Sequence, residues 1–250
     1  MMPAMKPRRL DLELVSRALV ESREQAQRLI LAGEVWVGGQ RWDKASKLCP
    51  ADAVIEVRGL DRYVSRGGHK LEGALKGFSL EPTGWRCLDL GASTGGFTDC
   101  LLQHGAREVV ALDVGHGQLH WKLRQDARVV VHEGVNARDL EAFAAANFTG
   151  GFDLVVADVS FISLRKVLPP AFDLLGSEGK IVALIKPQFE AGRGDVGKGG
   201  IVREEKIRTR VVDELRRWAE DFPVETVGVI PSPLPGRDGN EEFLWLLKKR

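Results

Sequence analysis

Two polar residues stand where strands would end, a third where a helix would start and a fourth where a late strand would start. Asp158 closes the apolar run FDLVVA, Lys186 closes KIVALI, Lys70 lies in YVSRGGHKLEGAL and Glu242 lies in GNEEFLWLL. Ligands of open α/β sheets bind beyond the carboxyl ends of the strands, so residues there face whatever is bound. Lysine is protonated at neutral pH, and it becomes a general base only where burial and neighbouring cations disfavour its charge. Two lysines with two carboxylates could thus take a proton from a hydroxyl. Each residue also has a plainer use: Lys186 could snorkel, Asp158 could cap the next helix and Glu242 could solvate a sheet edge.

A second group would hold a cofactor. Residues 85–98 read WRCLDLGASTGGFT, a short apolar strand entering a glycine-rich turn, and TDCLLQHGA continues as a helix. Asp89 precedes Gly91, Gly95 and Gly96 in the spacing D-x-G-x-x-x-G-G, with Ser93 and Phe97 in the same stretch. A phosphate loop would end in Gly-Lys-Ser/Thr and a dinucleotide fingerprint would read G-x-G-x-x-G, and neither is present. An acidic side chain beneath the loop suits a cationic amino-acid end better than a pyrophosphate. REVVALDVG then forms a second strand whose Asp113 lies 24 residues beyond Asp89, the position of a carboxylate that binds ribose hydroxyls. A third strand at residues 129–132 is followed by Asn136, an amide placed to contact an adenine.

The elements that must position these groups follow from apolar periodicity. The runs ending at Asp158 and Lys186 are continuous, as buried parallel strands are. Ahead of them a smaller α+β region is expected. Leu12, Val15 and Leu19 repeat at helical spacing and predict the buried stripe of a first helix. Ser22 with Gln25 predicts a capping box opening a second helix that buries Ala26, Leu29 and Ile30 and ends at Gly33. Val35-Trp36-Val37 before Gly38-Gly39 predicts a hairpin, completed by residues 54–57. Arg17, Arg23 and Arg28 fall on or beside the exposed helix faces, where guanidinium groups pair with phosphates or merely solvate a helix pair.

Two resemblances gather these observations. Residues 8–60 resemble the alpha-L RNA-binding domain named after small-subunit ribosomal protein S-four, through Arg9-Leu10-Asp11, Ser22-Arg23, Ala26, Leu29-Ile30, Gly33 and the Val35/Val37/Gly39 hairpin. That resemblance implies recognition of folded RNA by shape and backbone, with Arg9, Arg17, Arg23 and Arg28 as the contacts. The strings YVSRGGHKL, LDLGASTGGFTDCLL, DVGHGQLHWKLRQD, ADVSFISL, LIKPQFE and SPLPGRDGN resemble the TlyA family, often labelled haemolysin A. Lys70, Asp158, Lys186 and Glu242 resemble the Lys-Asp-Lys-Glu tetrad of ribose 2′-O-methyltransferases with an FtsJ-like catalytic domain. Glu242 is chosen over Glu241 on the family spacing Gly-Asn-x-Glu.

The resemblance implies a Rossmann-like fold of seven strands with helices on both faces. It implies S-adenosylmethionine as cofactor, bound by Asp89, Gly91, Ser93, Gly95, Gly96, Phe97, Asp113 and Asn136. It also implies 2′-O-methylation of cytidines in 16S and 23S ribosomal RNA, with Lys186 as proton acceptor. The expected organisation is a flexible N-terminus at residues 1–7, the RNA-binding domain at 8–60 and the methyltransferase domain at 61–250, joined around Gly59 to Arg62.

Composition constrains the alternatives. With 44% hydrophobic and 28% charged residues the chain can bury a core. No apolar run is long enough to span a membrane, and the N-terminal stretch lacks the core of a secretory signal, so a cytoplasmic protein is expected. Cys49, Cys87 and Cys100 are read as reduced thiols, too scattered for a disulfide frame or zinc site. The net charge is +1, yet residues 1–70 hold 13 Lys and Arg against 9 Asp and Glu, so basic charge sits at the front. An amino-methyltransferase would carry Asn/Asp-Pro-Pro-aromatic where Asp158-Val159-Ser160-Phe161 stands, and a pyrimidine carbon methyltransferase would need a nucleophilic cysteine at a strand end. His116 and His120, four apart, could clamp a metal only with a third ligand that is not evident, so none is expected. The five glycines between Gly192 and Gly200 suggest a flexible flap over RNA. An inactive RNA-binding assembly factor and a pore-forming haemolysin are the rival readings, the latter without visible membrane hairpins. Oligomeric state is not legible.

Overall fold

The computed structural model describes residues 7–136 and 139–250. Residues 1–6 of the N-terminal stretch expected to be flexible lie outside the described residues. The chain divides into two compact units, Met1–Arg62 and Tyr63–Arg250.

The first unit contains β1 (Arg8–Arg9), α1 (Leu10–Ser16), α2 (Arg23–Ala32), β2 (Val35–Val37), β3 (Gln40–Arg41), β4 (Leu48–Cys49) and β5 (Ile55–Val57). The central β2 pairs antiparallel with β3 and β5, while β1 pairs with β4. Gly38 (φ 56°) and Gly39 (φ 78°) make the two-residue turn between Val37 and Gln40, both in the left-handed region that such a hairpin requires. Ser22 Oγ accepts from Gln25 N at 3.1 Å, and Gln25 Oε1 accepts from Glu21 N at 2.8 Å, one residue earlier than a capping box returns its bond. Gly33 (φ 75°) closes α2. The expected stripe of α1 is corrected: Leu12 is 39% and Val15 37% exposed, and the helix buries Leu10 and Leu14. The helix spans 7 residues and the chain turns out of it at Ala18 (φ 53°). A periodicity carried across that end to Leu19 therefore names the wrong face.

The second unit contains α3 (Arg66–Gly77), β6 (Arg86–Leu90), α4 (Gly96–Gln103), β7 (Glu108–Asp113), α5 (Trp121–Arg124), β8 (Val129–Glu133), α6 (Leu140–Asn147), β9 (Phe152–Ala157), α7 (Leu164–Asp173), β10 (Leu175–Ile185), α8 (Pro187–Glu190), α9 (Glu205–Ala219), β11 (Val224–Pro231) and β12 (Phe243–Lys249). One sheet of seven strands runs in the order β11-β12-β10-β9-β6-β7-β8. The five strands from β10 to β8 are parallel, and β12 is antiparallel to both of its neighbours.

Alternation divides the strand residues between two cores. Leu88, Leu90, Val110, Val155, Ile181 and Trp245 pack with α6, α7 and α9 on one face. Cys87, Val109, Val156, Val182 and Leu246 pack with α3, α4 and α5 on the other. Both faces being covered explains why the strands read as continuous apolar runs. Chain order reverses between β6 and β9, which makes the carboxyl ends of that pair the crevice where such sheets bind ligands.

Candidate active site

The glycine-rich turn leaves β6 at Leu90 and enters α4 at Gly96. Gly91 N and Ala92 N donate to Leu112 O at 2.9 and 3.2 Å, tying the turn to the end of β7. A Cβ on Gly91 (φ +84°) would stand 2.8 Å from Asp158 O, so the turn and the end of β9 approach backbone to backbone. Gly95 (φ +96°) and Gly96 are also without room: their added Cβ atoms would meet Leu123 Cδ1 at 2.2 Å and Ser65 Oγ at 2.3 Å. Phe97 is buried, and Ser93 and Asn136 are exposed.

The two candidate cofactor carboxylates differ in surroundings. Asp113 Oδ2 accepts from Ser93 N and Oδ1 from Gly115 N, both at 2.7 Å, which fixes the carboxylate at the end of β7 with a second lone pair free on each oxygen. Asp89 is fully buried; its Oδ2 accepts from Thr98 Oγ1 at 2.7 Å and its Oδ1 has no hydrogen-bond partner. Burial pushes the Asp89 carboxyl up to about 7, against the hydrogen bond from Thr98. A buried carboxyl oxygen in that state calls for a proton or a cation.

The tetrad candidates form two ion pairs. Lys186 Nζ lies 2.6 Å from Asp158 Oδ1, and Lys70 Nζ lies 2.5 Å from Glu242 Oε2. Lys70 projects from the second turn of α3, Asp158 follows β9, Lys186 follows β10 and Glu242 precedes β12. The antiparallel register of β10 and β12 ends at Ile185↔Phe243, and its continuation sets Lys186 opposite Glu242. Glu241 points elsewhere, meeting Arg208 at 3.1 Å with 64% of its side chain exposed. Asp158 does not cap the next helix; Ser163 does, accepting from Arg165 N.

Three contributors were not singled out by sequence. Ser160 Oγ accepts from Lys186 Nζ at 2.8 Å. Glu190, at the end of α8, accepts from Ser163 Oγ at 2.6 Å and Leu164 N at 2.7 Å. Asn240, buried, accepts from Val202 N at 2.9 Å and donates to Gly200 O at 2.9 Å, so the glycine segment expected as a free flap is clasped at its far end. Each sits in a string that resembles the family, and that proximity was the one signal available. His116 and His120 do not share a helical face, because His120 is the N-cap of α5 and His116 lies in the preceding turn. Among the described residues no cluster of three metal-ligating side chains occurs.

In the first unit the four candidate arginines divide. Arg17 is an internal tie: it reaches Glu13 Oε1 at 2.8 Å and the carbonyls of Pro50, Ala51 and Ala53. Those bonds occupy Nε, Nη1 and Nη2 together, and 27% of the side chain is exposed. Arg9 and Arg23 share buried Asp11, whose Oδ2 lies 3.0 and 2.8 Å from them, and their side chains are 40% and 50% exposed. Arg28 is exposed on α2.

Residues 63–249 match the family described as FtsJ-like methyltransferase, and residues 8–55 match the S4 domain. The 16S/23S rRNA (cytidine-2′-O)-methyltransferase TlyA of Mycobacterium tuberculosis is 51% identical over 95% of this chain and 89% of its own. The chain belongs to the TlyA family of FtsJ-like methyltransferases. Another relative of this TlyA-family chain, Hemolysin A of Brachyspira hyodysenteriae, is 46% identical over 94% of this chain and 98% of its own. A solved Streptococcus thermophilus structure with a provisional hemolysin label superposes with a TM-score of 0.73 at 44% identity, covering 98% of this chain and 90% of that one. Among the described residues no helix is long and apolar enough to cross a membrane.

Proposed function

We propose that this TlyA-family protein methylates the 2′-oxygen of cytidine ribose in 16S and 23S ribosomal RNA, using S-adenosylmethionine. The observation that carries the reading is the pairing of Lys186 with Asp158 and of Lys70 with Glu242 at the end of the sheet beside the glycine turn. When bound, S-adenosylmethionine supplies a methyl group on a positively charged sulfur, which an activated oxygen displaces in line. Asp89, Gly91, Ser93, Gly95, Gly96, Phe97, Asp113 and Asn136 would hold it. The fit rests on the partnerless Asp89 Oδ1, on the close glycine turn and on the carboxylate of Asp113 with lone pairs to spare.

Lys186, as the neutral amine, takes the proton of the ribose hydroxyl. Asp158, 2.6 Å away, stabilises the ammonium so formed. Lys70 and Glu242 orient the hydroxyl from the neighbouring strand and helix, and their mutual pairing keeps both charges satisfied in a buried place. Arg9, Arg23 and Arg28 of the first unit take RNA phosphates, which positions the substrate without reading its sequence. The protein would work in the cytoplasm, on ribosomal subunits.

The test follows labelled methyl from S-adenosylmethionine into purified ribosomal subunits, with product nucleosides identified by mass. The expected product is 2′-O-methylcytidine, with turnover by Lys186→Ala lower by about a thousandfold. Base-methylated product removes the ribose assignment, and normal turnover by Lys186→Ala removes the base.

A further inference from the structure

The chain turns twice beside Lys186, once after β9 and once after β10, and the two corners are laced together rung by rung. Asp158 and Ser160 both meet Lys186 Nζ, at 2.6 and 2.8 Å. Phe161 packs on Phe189 with ring centroids 5.1 Å apart. Ser163 and Leu164 bind the carboxylate of Glu190, at 2.6 and 2.7 Å. Phe161 adopts φ +63°, a conformation that a bulky side chain rarely takes, and it persists where surrounding contacts over-determine it. The corner that carries Ser160 is thus tied to the corner of Lys186 on both sides of that serine, while Phe161 itself is 89% exposed.

We propose that Ser160 is a positioning residue for Lys186, setting the one direction in which the amine nitrogen meets its substrate; the inference rests on reading Lys186 as the base. A lysine nitrogen has three tetrahedral directions besides its bond to Cε. One ends on Ser160 Oγ as a directed hydrogen bond of 2.8 Å, whereas Asp158 Oδ1, 2.6 Å away, pairs with the nitrogen by charge and has no hydrogen-bond partner. The ion pair holds the nitrogen in place and the hydroxyl sets how its remaining directions are turned for the proton that the reaction moves. A charge pair alone would leave the nitrogen's hydrogens and lone pair free to turn about Cε–Nζ. The hydroxyl removes that freedom, and because it both donates and accepts it keeps its contact whether the nitrogen carries three protons or two. Productive geometry in a proton transfer is sensitive to such placement. The Ser160 side chain is exposed, so removing its hydroxyl takes the bond to Lys186 and little packing with it.

Methyl transfer to purified ribosomal subunits, measured with the full-length protein, tests this with Ser160→Ala, Ser160→Thr and Lys186→Ala beside the wild type. Ser160→Ala is expected to lower kcat about tenfold while KM for RNA and for S-adenosylmethionine changes less than about twofold, a factor well under 1.4 kcal/mol. Ser160→Thr, which keeps a hydroxyl at the same atom, is expected to restore most of kcat. Thermal unfolding of the two Ser160 variants should match the wild type, which separates positioning from folding. Full kcat in Ser160→Ala, a loss confined to KM, or a failure of Ser160→Thr to rescue would each overturn the inference. Should Lys186→Ala turn over normally, the base itself is wrong and the inference falls with it. An inactive Lys186→Ala beside an unimpaired Ser160→Ala removes Ser160 alone.

Discussion

Lys70 Nζ and Glu242 Oε2 lie 2.5 Å apart, with 10% and 3% of their side chains exposed, across 172 residues of sequence. Taking two charges out of water is costly, and their attraction offsets that cost only while both are present. The pair therefore couples α3 to the start of β12.

Glu242→Ala should leave an uncompensated ammonium in a buried site and destabilise the second unit by about 3 kcal/mol. Methyl transfer should fall with it. Glu241→Ala, whose partner Arg208 it meets at the surface, should change stability by less than about 1 kcal/mol and leave transfer unaltered. Denaturant midpoints and initial rates of both variants decide the matter. Equal effects from the two substitutions would contradict the assignment of the pair.

The tetrad was legible as two residues at strand ends, one at the start of a helix and one at the start of a late strand, and not as two pairs. Apolar runs announce where strands stop, so Asp158 and Lys186 could be placed by the period of their neighbours alone. Gly33, Gly38 and Gly39 were legible because only certain turns need φ above zero. The face of α1 was not, since a helix of 7 residues is too short for periodicity to define it against a chain that turns at Ala18. Ser160 and Glu190 escaped for a different reason. Their contacts join two corners whose strands, β9 and β10, become neighbours through a parallel register that ends at Ala157↔Ala183. A local pattern carries no trace of such a contact.

Asp89 yields a pH dependence whose sign can be worked out. Its carboxyl is pushed from an ordinary 3.8 up to about 7, by burial first and by the Asp158 and Asp113 charges after it. Between those two values the folded chain holds a proton that the unfolded chain has released. Stability of the second unit should therefore decline as pH rises from about 4 to 7, to the extent that this group dominates. Asp89→Asn stays neutral throughout and should flatten that slope, gaining on the order of 1 to 3 kcal/mol over the wild type at pH 8 without cofactor. It should also weaken S-adenosylmethionine binding, because the cation-attracting charge is gone. Unfolding midpoints at pH 5 and pH 8, with calorimetric affinity, measure both; identical slopes in the two proteins would refute the account.

The first unit offers the complementary case, a buried carboxylate whose charge is wanted. Asp11 is 0% exposed and accepts from Arg9, Arg23 and Gln27, and the hydrogen bond from Arg9 above all holds its carboxyl well below the usual carboxylate range. Two arginines with half-exposed side chains are thereby fixed on one anchor, with N–H groups left to meet a phosphate. Asp11→Asn should weaken RNA binding about tenfold by freeing both arginines, although neither is altered. Arg28→Ala should weaken it less, and should lower the dependence of log affinity on log salt by about 1, as the loss of a single phosphate contact does. Arg17→Ala should leave that salt dependence unchanged and lower stability, since its bonds run to Glu13 and to the carbonyls of residues 50, 51 and 53. Filter binding of a ribosomal RNA fragment across a salt series, with thermal unfolding of each variant, separates the three. A reduced salt slope in Arg17→Ala would return that arginine to the RNA and break the distinction drawn from its geometry.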